Sequence, residues 1–86
     1  MSTYGVDLHA AALAQMKDLP GVALDALVAR VVDLVEEPWD ARIADGNDPR
    51  YRRTTFGQGH GLISFFVDEP ARLIRIFDVT WAGEVR

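Results

Sequence analysis

Residues 51–83 read YRRTTFGQGHGLISFFVDEPARLIRIFDVTWAG, a pattern that predicts three consecutive strands. The strands are expected at residues 51–56, 62–67 and 73–80. The glycine-rich residues 57–61 and the Asp-Glu-Pro sequence at 68–70 supply turn signals between them. Strands joined by short turns pair antiparallel, so this stretch predicts a three-stranded meander.

The residues before this meander predict one strand followed by two helices. Residues 3–8 alternate between apolar and polar side chains, which is typical of a half-buried strand. The alanine-rich residues 9–18 predict a short helix that the Leu-Pro-Gly sequence at 19–21 ends. Residues 22–37 predict a longer helix with a broad apolar stripe. The stripe consists of Leu24, Leu27, Val28, Val31, Leu34 and Val35.

The element order β-α-α-β-β-β predicts an α+β fold in a single domain, residues 1–86. Pro38 ends the second helix, and residues 39–49 are expected to form a polar connection. The helical hairpin needs a surface to cover. We therefore expect a two-layer sandwich, in which the hairpin packs on a mainly antiparallel four-stranded sheet and the other sheet face stays open to a ligand.

Composition excludes several classes of protein. The chain contains no cysteine, which excludes disulfides and thiolate metal sites. No apolar run approaches the roughly 20 residues that span a bilayer, and the N-terminus lacks the pattern of a signal peptide. These features predict a cytoplasmic protein without a membrane partner.

The charge is unevenly distributed along the chain. Up to Asp48 there are nine acidic and three basic residues, and from Pro49 onward there are four and six. The net charge of −4 is opposite in sign to that of most nucleic-acid-binding proteins. Any contact with RNA or DNA is therefore expected to use a local basic patch.

The glycine-rich turn and its histidine allow two interpretations each. GQGHG at 57–61 resembles a phosphate-binding loop, but a strand rather than a helix follows it, which favours a hairpin turn. His60 is either a general acid or base or a solvated turn residue. His9 and His60 are the only histidines, too few for a usual metal site, so no metal or cofactor is expected.

The arginines at the start of the second predicted strand are a candidate binding patch. Successive strand residues face opposite ways, so Arg52 and Arg53 cannot line the same surface, and one of them is expected on the open face. Together with Arg50 they form either a contact for phosphate or an acidic partner, or a solvated strand end that discourages aggregation.

Arg75 and Trp81 indicate a further contact surface. A charge inside the apolar strand 73–80 must face solvent or be paired. Strict alternation would place Arg75 with Leu73, Phe77 and Val79, a mixture that suggests a surface covered by another chain. Trp81 either anchors an interface or closes the end of the core.

The layout resembles the RelE/ParE superfamily, the toxin half of bacterial type II toxin–antitoxin pairs. Three segments carry the resemblance, which extends from about residue 3 to residue 82: the hairpin ending LVEEPW, then Tyr51-Arg52, then GHGLISFFVDE running into LIRIFDV. The resemblance implies a cognate antitoxin as partner and one of two activities. RelE-like members inhibit translation by cleaving mRNA in the ribosomal A site without a metal, and ParE-like members poison DNA gyrase.

The positions that would carry RelE-type cleavage are only partly kept. The basic position of the family in strand two falls on Arg52, but a second, two residues on, falls on Thr54. The arginine expected early in strand three falls on Gly61, beside His60, and the one after strand four falls near Ala82. The aromatic residue often found in the tail has no counterpart in residues 83–86.

We therefore expect a toxin with a degenerate, metal-independent mRNA endoribonuclease site. Its catalytic residues would be Arg52 and Arg53 for phosphate positioning, His60 for proton transfer and Arg75 in support. RNA or partner contacts are expected from Arg50, Arg52, Arg53, Arg72 and Trp81. The alternative is a non-catalytic protein-binding module of the same fold, either a gyrase poison or a toxin that has lost its activity.

Overall fold

The computed structural model describes residues 3–83, apart from the side chain of Asp45. They form five strands, two α-helices and one 3₁₀ turn. The elements are β1 Gly5–Leu8, α1 Ala10–Lys17, α2 Gly21–Glu36, the 3₁₀ turn Pro38–Asp40, β2 Arg42–Asp45, β3 Asp48–Phe56, β4 Gly61–Asp68 and β5 Leu73–Trp81. The C-terminal residues 84–86 lie outside the described residues.

The sheet has the strand order β1-β5-β4-β3-β2. Strands β3, β4 and β5 form the predicted antiparallel meander, while β1 pairs parallel with β5, so the sheet is mixed. Two helices packed on this sheet confirm the α+β class.

The predicted count of four strands is wrong, because part of the expected polar connection is a strand. β2 pairs antiparallel with β3 at the sheet edge, with Arg42 opposite Arg53 and Ile43 opposite Arg52. Gly46 and Asn47, within the expected connection, form the turn of the hairpin that joins β2 to β3. The sequence of β2, Arg-Ile-Ala-Asp, does not alternate between apolar and polar residues, so periodicity does not predict a strand there. The strand forms because β3 supplies its hydrogen-bond partners.

The core lies between α2 and one face of the sheet. Leu27 and Leu34 of α2 are fully buried against the inward-facing side chains of the central strands, in agreement with the predicted helix stripe. These sheet residues are Ile63, Phe65, Val67, Ile74, Ile76 and Val79. Burying each such side chain contributes about 1.5–3 kcal/mol.

A β-bulge in β5 changes which side chains share a face. Ser64 pairs with Asp78 but the next residue, Phe65, pairs with Ile76, so Phe77 is the extra residue. Arg75 and Phe77 face away from the helices, while Val79 is buried in the core. Strict alternation, which would have put Val79 beside Arg75, is therefore wrong beyond Phe77.

Helix α1 covers the edge of β5 where β1 ends. The His9 N–H donates to the Ile76 carbonyl (3.0 Å), and the chain then turns into α1. Gln15 of α1 accepts a hydrogen bond from the Val79 N–H (2.8 Å) and donates one to Asp78 Oδ1 (3.0 Å). The side chain of Gln15 thus replaces a neighbouring strand at this position.

Candidate functional site

The sheet face that the helices leave uncovered, called here the open face, is the first candidate surface. The register places Tyr51 opposite Phe66 and Arg53 opposite Ser64 on this face. The alternate residues of β3 point toward the helices. They are Arg52, Thr54 and Phe56. The expectation that Arg52 and Arg53 lie on different surfaces is therefore correct, and Arg53 is the one on the open face.

Arg52 hydrogen-bonds to the backbone around the 3₁₀ turn. Its Nε donates to the Pro49 carbonyl (2.6 Å), and its Nη1 donates to the carbonyls of Ala41 (2.9 Å) and Trp39 (3.3 Å). The guanidinium carbon lies 4.9 Å from the centroid of the Trp39 ring, within cation–π range. These bonds link the 3₁₀ turn to β3 and use the Nε and Nη1 donors of Arg52.

Thr54, where the resemblance expects a second basic residue, is also engaged with the helical layer. Arg30 of α2 donates to Thr54 Oγ1 through Nη2 (2.7 Å) and Nε (3.2 Å). The pair joins α2 to β3. Neither of the two strand-two positions carried over from the family therefore faces the open side of the sheet.

Arg75 lies on the open face between two carboxylates. Its Nη1 is 2.8 Å from Asp7 Oδ2, and its Nη2 is 2.9 Å from Asp68 Oδ2. The hydrogen bonds from Arg75, with a further one from the Ala71 N–H, hold the pKa of Asp68 below its ordinary value of 3.8. An arginine held in this way has its positive charge compensated, which lowers its attraction for a phosphate.

The glycine-rich turn brings His60 to the end of the sheet. His60 is exposed, and its ring centroid lies 5.9 Å from that of Trp81. The ring of Phe56 occupies the space where a Cβ on the neighbouring Gly61 would be, so no side chain fits there. Trp81 stacks on Phe56 with a centroid separation of 5.6 Å and packs against the core, as the core interpretation of Trp81 predicts.

The predicted catalytic residues do not converge on one point. His60 precedes Gly61 at the start of β4, while Arg75 pairs with Phe66, five residues farther along that strand. At about 3.3 Å per residue, Gly61 and Phe66 lie roughly 16 Å apart along β4, and His60 is one residue farther from Arg75. Arg53, opposite Ser64, lies between them, and Arg52 faces the helices.

An aromatic cluster on the open face was not predicted as a unit. Tyr51 packs edge-on against Phe66 (4.9 Å between centroids) and Phe77 (5.9 Å), and His9 lies 6.5 Å from Phe77. With Arg75 they line a depression of about 460 Å³. Alternation within each strand places Tyr51, Phe66 and Phe77 on one face, but only the pairing of the strands brings the three rings together.

Arg50 and Arg72, both predicted contact residues, stack on aromatic rings. Arg50 lies 5.0 Å from the centroid of Phe66 and forms a salt bridge with Asp48 (2.9 Å). Arg72 lies 4.3 Å from the centroid of Tyr4 and 3.4 Å from Glu69 Oε1. The Tyr4 hydroxyl donates to the same carboxylate, which raises the pKa of Tyr4.

An apolar groove lies between β1 and α2 on the helical side of the sheet. It has a volume of about 190 Å³ and is lined by apolar side chains only. Val6 of β1 is 40% exposed, and Val28 and Val32 of α2 are 53% and 57% exposed. The broad stripe of α2 is therefore only partly used by the core, and the rest of it forms this groove.

Two further results concern metals and membranes. Among residues 3–83, no group of three or more His, Asp or Glu side chains is placed to hold a metal ion. No helix in the same part of the chain is long and apolar enough to cross a membrane.

Solved structures of RelE toxins are similar to this chain over nearly its whole length. The isolated E. coli RelE toxin is 15% identical, with a TM-score of 0.80, covering 95% of this chain and 87% of that chain. The RelBE2 toxin–antitoxin complex of Mycobacterium tuberculosis is 20% identical, with a TM-score of 0.78, covering 92% of this chain and 98% of that chain. The archaeal RelE–RelB complex of Pyrococcus horikoshii OT3 is 18% identical, with a TM-score of 0.73, covering 96% of this chain and 99% of that chain.

No family model and no curated protein sequence matches the chain. The chain therefore has the fold of the RelE toxins, as the resemblance in its sequence predicts, with few of their residues.

Proposed function

We propose that this protein is the toxin component of a type II toxin–antitoxin pair and that a RelB-type antitoxin covers its apolar groove. The observation that carries the proposal is the groove itself, on a fold shared with toxins solved in complex with antitoxins. A small domain gains stability from a partner that buries such a surface.

The groove favours a particular kind of partner segment. Val28 and Val32 lie four residues apart, so they form one ridge that an apolar helix or extended segment can cover. Two exposed acidic residues lie on the same side of α2 as this ridge. Asp25 is three residues before Val28, and Glu36 is four residues after Val32. A partner with apolar side chains and basic flanking residues complements that surface.

Mutation of the ridge tests the interaction. Val28→Asp and Val32→Asp are expected to weaken binding of the antitoxin at least tenfold, because each places a charge in the buried part of the interface. Val22→Asp is the matched control, since Val22 is on the same helix, is 73% exposed and does not line the groove. Equal binding by all three variants would contradict the proposal.

Toxicity is the second test. Expression of the chain alone is expected to arrest bacterial growth, and co-expression with the protein encoded by the neighbouring gene is expected to relieve the arrest. Normal growth together with a tight stoichiometric complex would instead support a toxin fold that acts only by binding.

We infer that any ribosome-dependent mRNA cleavage by this chain uses a degenerate site. Three observations support this inference: Arg52 is bonded to carbonyl groups, Arg75 lies between two carboxylates, and His60 is remote from both. Loss of one charge-stabilising donor costs about a hundredfold in rate, so several losses leave little activity.

The same residues separate cleavage from target poisoning. If the chain cleaves mRNA, His60→Ala and Arg53→Ala are expected to abolish both growth arrest and new mRNA 5′ ends mapped by primer extension. Arrest that persists in Arg52, His60 and Arg75 variants, without new ends, favours a binding mechanism such as gyrase poisoning.

A further inference from the structure

Two arginines on the open face lie directly opposite each other. Arg42 of β2 pairs in register with Arg53 of β3, so their side chains project from the same side of the sheet. Both are exposed, and neither side chain forms a salt bridge or hydrogen bond with the side chains and backbone that the structure describes.

This arrangement differs from that of the other arginines. Like charges directly opposite each other on neighbouring strands are destabilising. The remaining arginines of the described chain each have a carboxylate or a set of carbonyls as partner. They are Arg30, Arg50, Arg52, Arg72 and Arg75.

Arg42 and Arg53 both line a depression of about 350 Å³. Thr55 adds a hydroxyl group, and Leu62 adds an apolar surface. Asp40 also lines the depression, but its carboxylate is farther than 4.0 Å from both guanidinium groups, since no salt bridge forms. The volume is at the low end of the range for ligand sites and admits a small anion with one attached group.

We propose that Arg42 and Arg53 bind the oxygens of a phosphate group. A planar guanidinium donates two parallel hydrogen bonds to a phosphate, and two opposed arginines then share one dianion or two adjacent ester oxygens. The anion also removes the repulsion between the two side chains. The phosphate belongs either to a small phosphate ester or to a nucleic-acid backbone, and Leu62 contacts the group attached to it.

The proposal does not rest on the toxin assignment, because the chain alone supplies both arginines. It is tested by titrating the purified chain with inorganic phosphate at constant ionic strength, set with sodium chloride, while recording Arg Nε–H NMR signals. A saturable shift of Arg42 and Arg53 is expected. Arg42→Gln and Arg53→Gln are each expected to weaken binding about tenfold or more.

Lys17→Gln is the matched control, because it removes one positive charge at an exposed position of α1, outside the depression. It is expected to bind phosphate as the unsubstituted chain does. Unchanged binding by Arg42→Gln, or an equal response to chloride, would overturn the proposal.

The charge-reversal variant Arg42→Glu supplies a readout that does not depend on a ligand. It places a carboxylate opposite Arg53, so we expect a higher unfolding temperature without phosphate and no phosphate binding. A lower unfolding temperature would show that the two arginines do not oppose each other and would contradict the proposal.

A final comparison identifies the source of the phosphate. Tighter binding of a short RNA oligonucleotide than of a mononucleotide, lost in Arg42→Gln, indicates a nucleic-acid backbone. Equal affinity for the two, lost in the same variant, indicates a small phosphate ester. If Arg42→Gln binds the oligonucleotide and the mononucleotide as tightly as the unsubstituted chain does, the proposed phosphate site is wrong.

Discussion

At the level of single residues, adjacent arginines have different environments because strand side chains alternate. Arg52 bonds to three backbone carbonyls on the helical side, whereas Arg53 projects from the open face. Both carry the same charge and follow each other in sequence, so residue type alone does not distinguish their roles.

Substitution of these two arginines by alanine is expected to have unequal effects on stability. Arg52→Ala should lower the free energy of unfolding by about 1–3 kcal/mol, because charged hydrogen bonds to backbone carbonyls are lost. Arg53→Ala should change it by no more than about 0.5 kcal/mol, or raise it slightly. Urea denaturation of the two variants measures the difference, and equal destabilisation would argue against the bonds of Arg52.

Acid is expected to weaken the contact between Arg75 and Asp68. The folded-state pKa of Asp68 is lowered, so its ionised form stabilises the fold above roughly pH 4. That contribution is lost as the pH falls through the lowered pKa of the folded state. In Arg75→Gln we expect the NMR-measured pKa of Asp68 to rise toward its ordinary value. An unchanged pKa would show that Arg75 does not cause the shift.

At the level of elements, the strand edges depend on side chains from elsewhere in the chain. β1 covers β5 only as far as Ile76, and Gln15 of α1 supplies the next hydrogen bond to the strand. The sequence of α1 predicts an alanine-rich helix but does not show that its glutamine, Gln15, accepts a hydrogen bond from a strand edge.

Removal of this contact is expected to loosen the end of β5. Gln15→Leu should lower the free energy of unfolding by about 1–2 kcal/mol, because the Val79 N–H loses its acceptor. Hydrogen exchange of the Val79 amide should become faster than in Lys17→Ala, a control at an exposed position of the same helix. Exchange at the same rate in both variants would contradict this role of Gln15.

At the level of the whole molecule, charge and exposed apolar surface are unevenly distributed. The acidic excess lies in the first 48 residues, which include α2 and its groove. The basic excess lies in residues 49–86, which include β4, β5 and most of β3. The two proposed ligands therefore lie on different sides of the sheet, a protein segment in the groove and an anion on the open face.

The proposed antitoxin complex is expected to weaken as salt rises. Raising sodium chloride from about 50 to 300 mM should lower the affinity severalfold, since charges at the rim of an interface are screened. The double variant Asp25→Asn, Glu36→Gln should show a smaller salt dependence in calorimetric titrations. A salt dependence equal to that of the unsubstituted chain would exclude these two carboxylates from the interface.

The accuracy of prediction differed between local and distant features. The meander, both helices and the separation of Arg52 from Arg53 follow from periodicity within short segments. β2 was not predicted because its four residues do not alternate between apolar and polar side chains. The bulge at Phe77 was not predicted because it depends on the register between β4 and β5. The partners of Arg75, Asp7 and Asp68, are 68 and seven residues away in sequence.

The sequence by itself determined the order of elements and most side-chain faces, because helix and strand periodicity are local properties of the chain. Only the tertiary structure decided that Arg42 meets Arg53, that Arg75 lies between two carboxylates and that Val28 and Val32 remain uncovered. Those outcomes depend on which strands become neighbours and on how much of a helix the sheet can bury, and both are set by packing between distant segments.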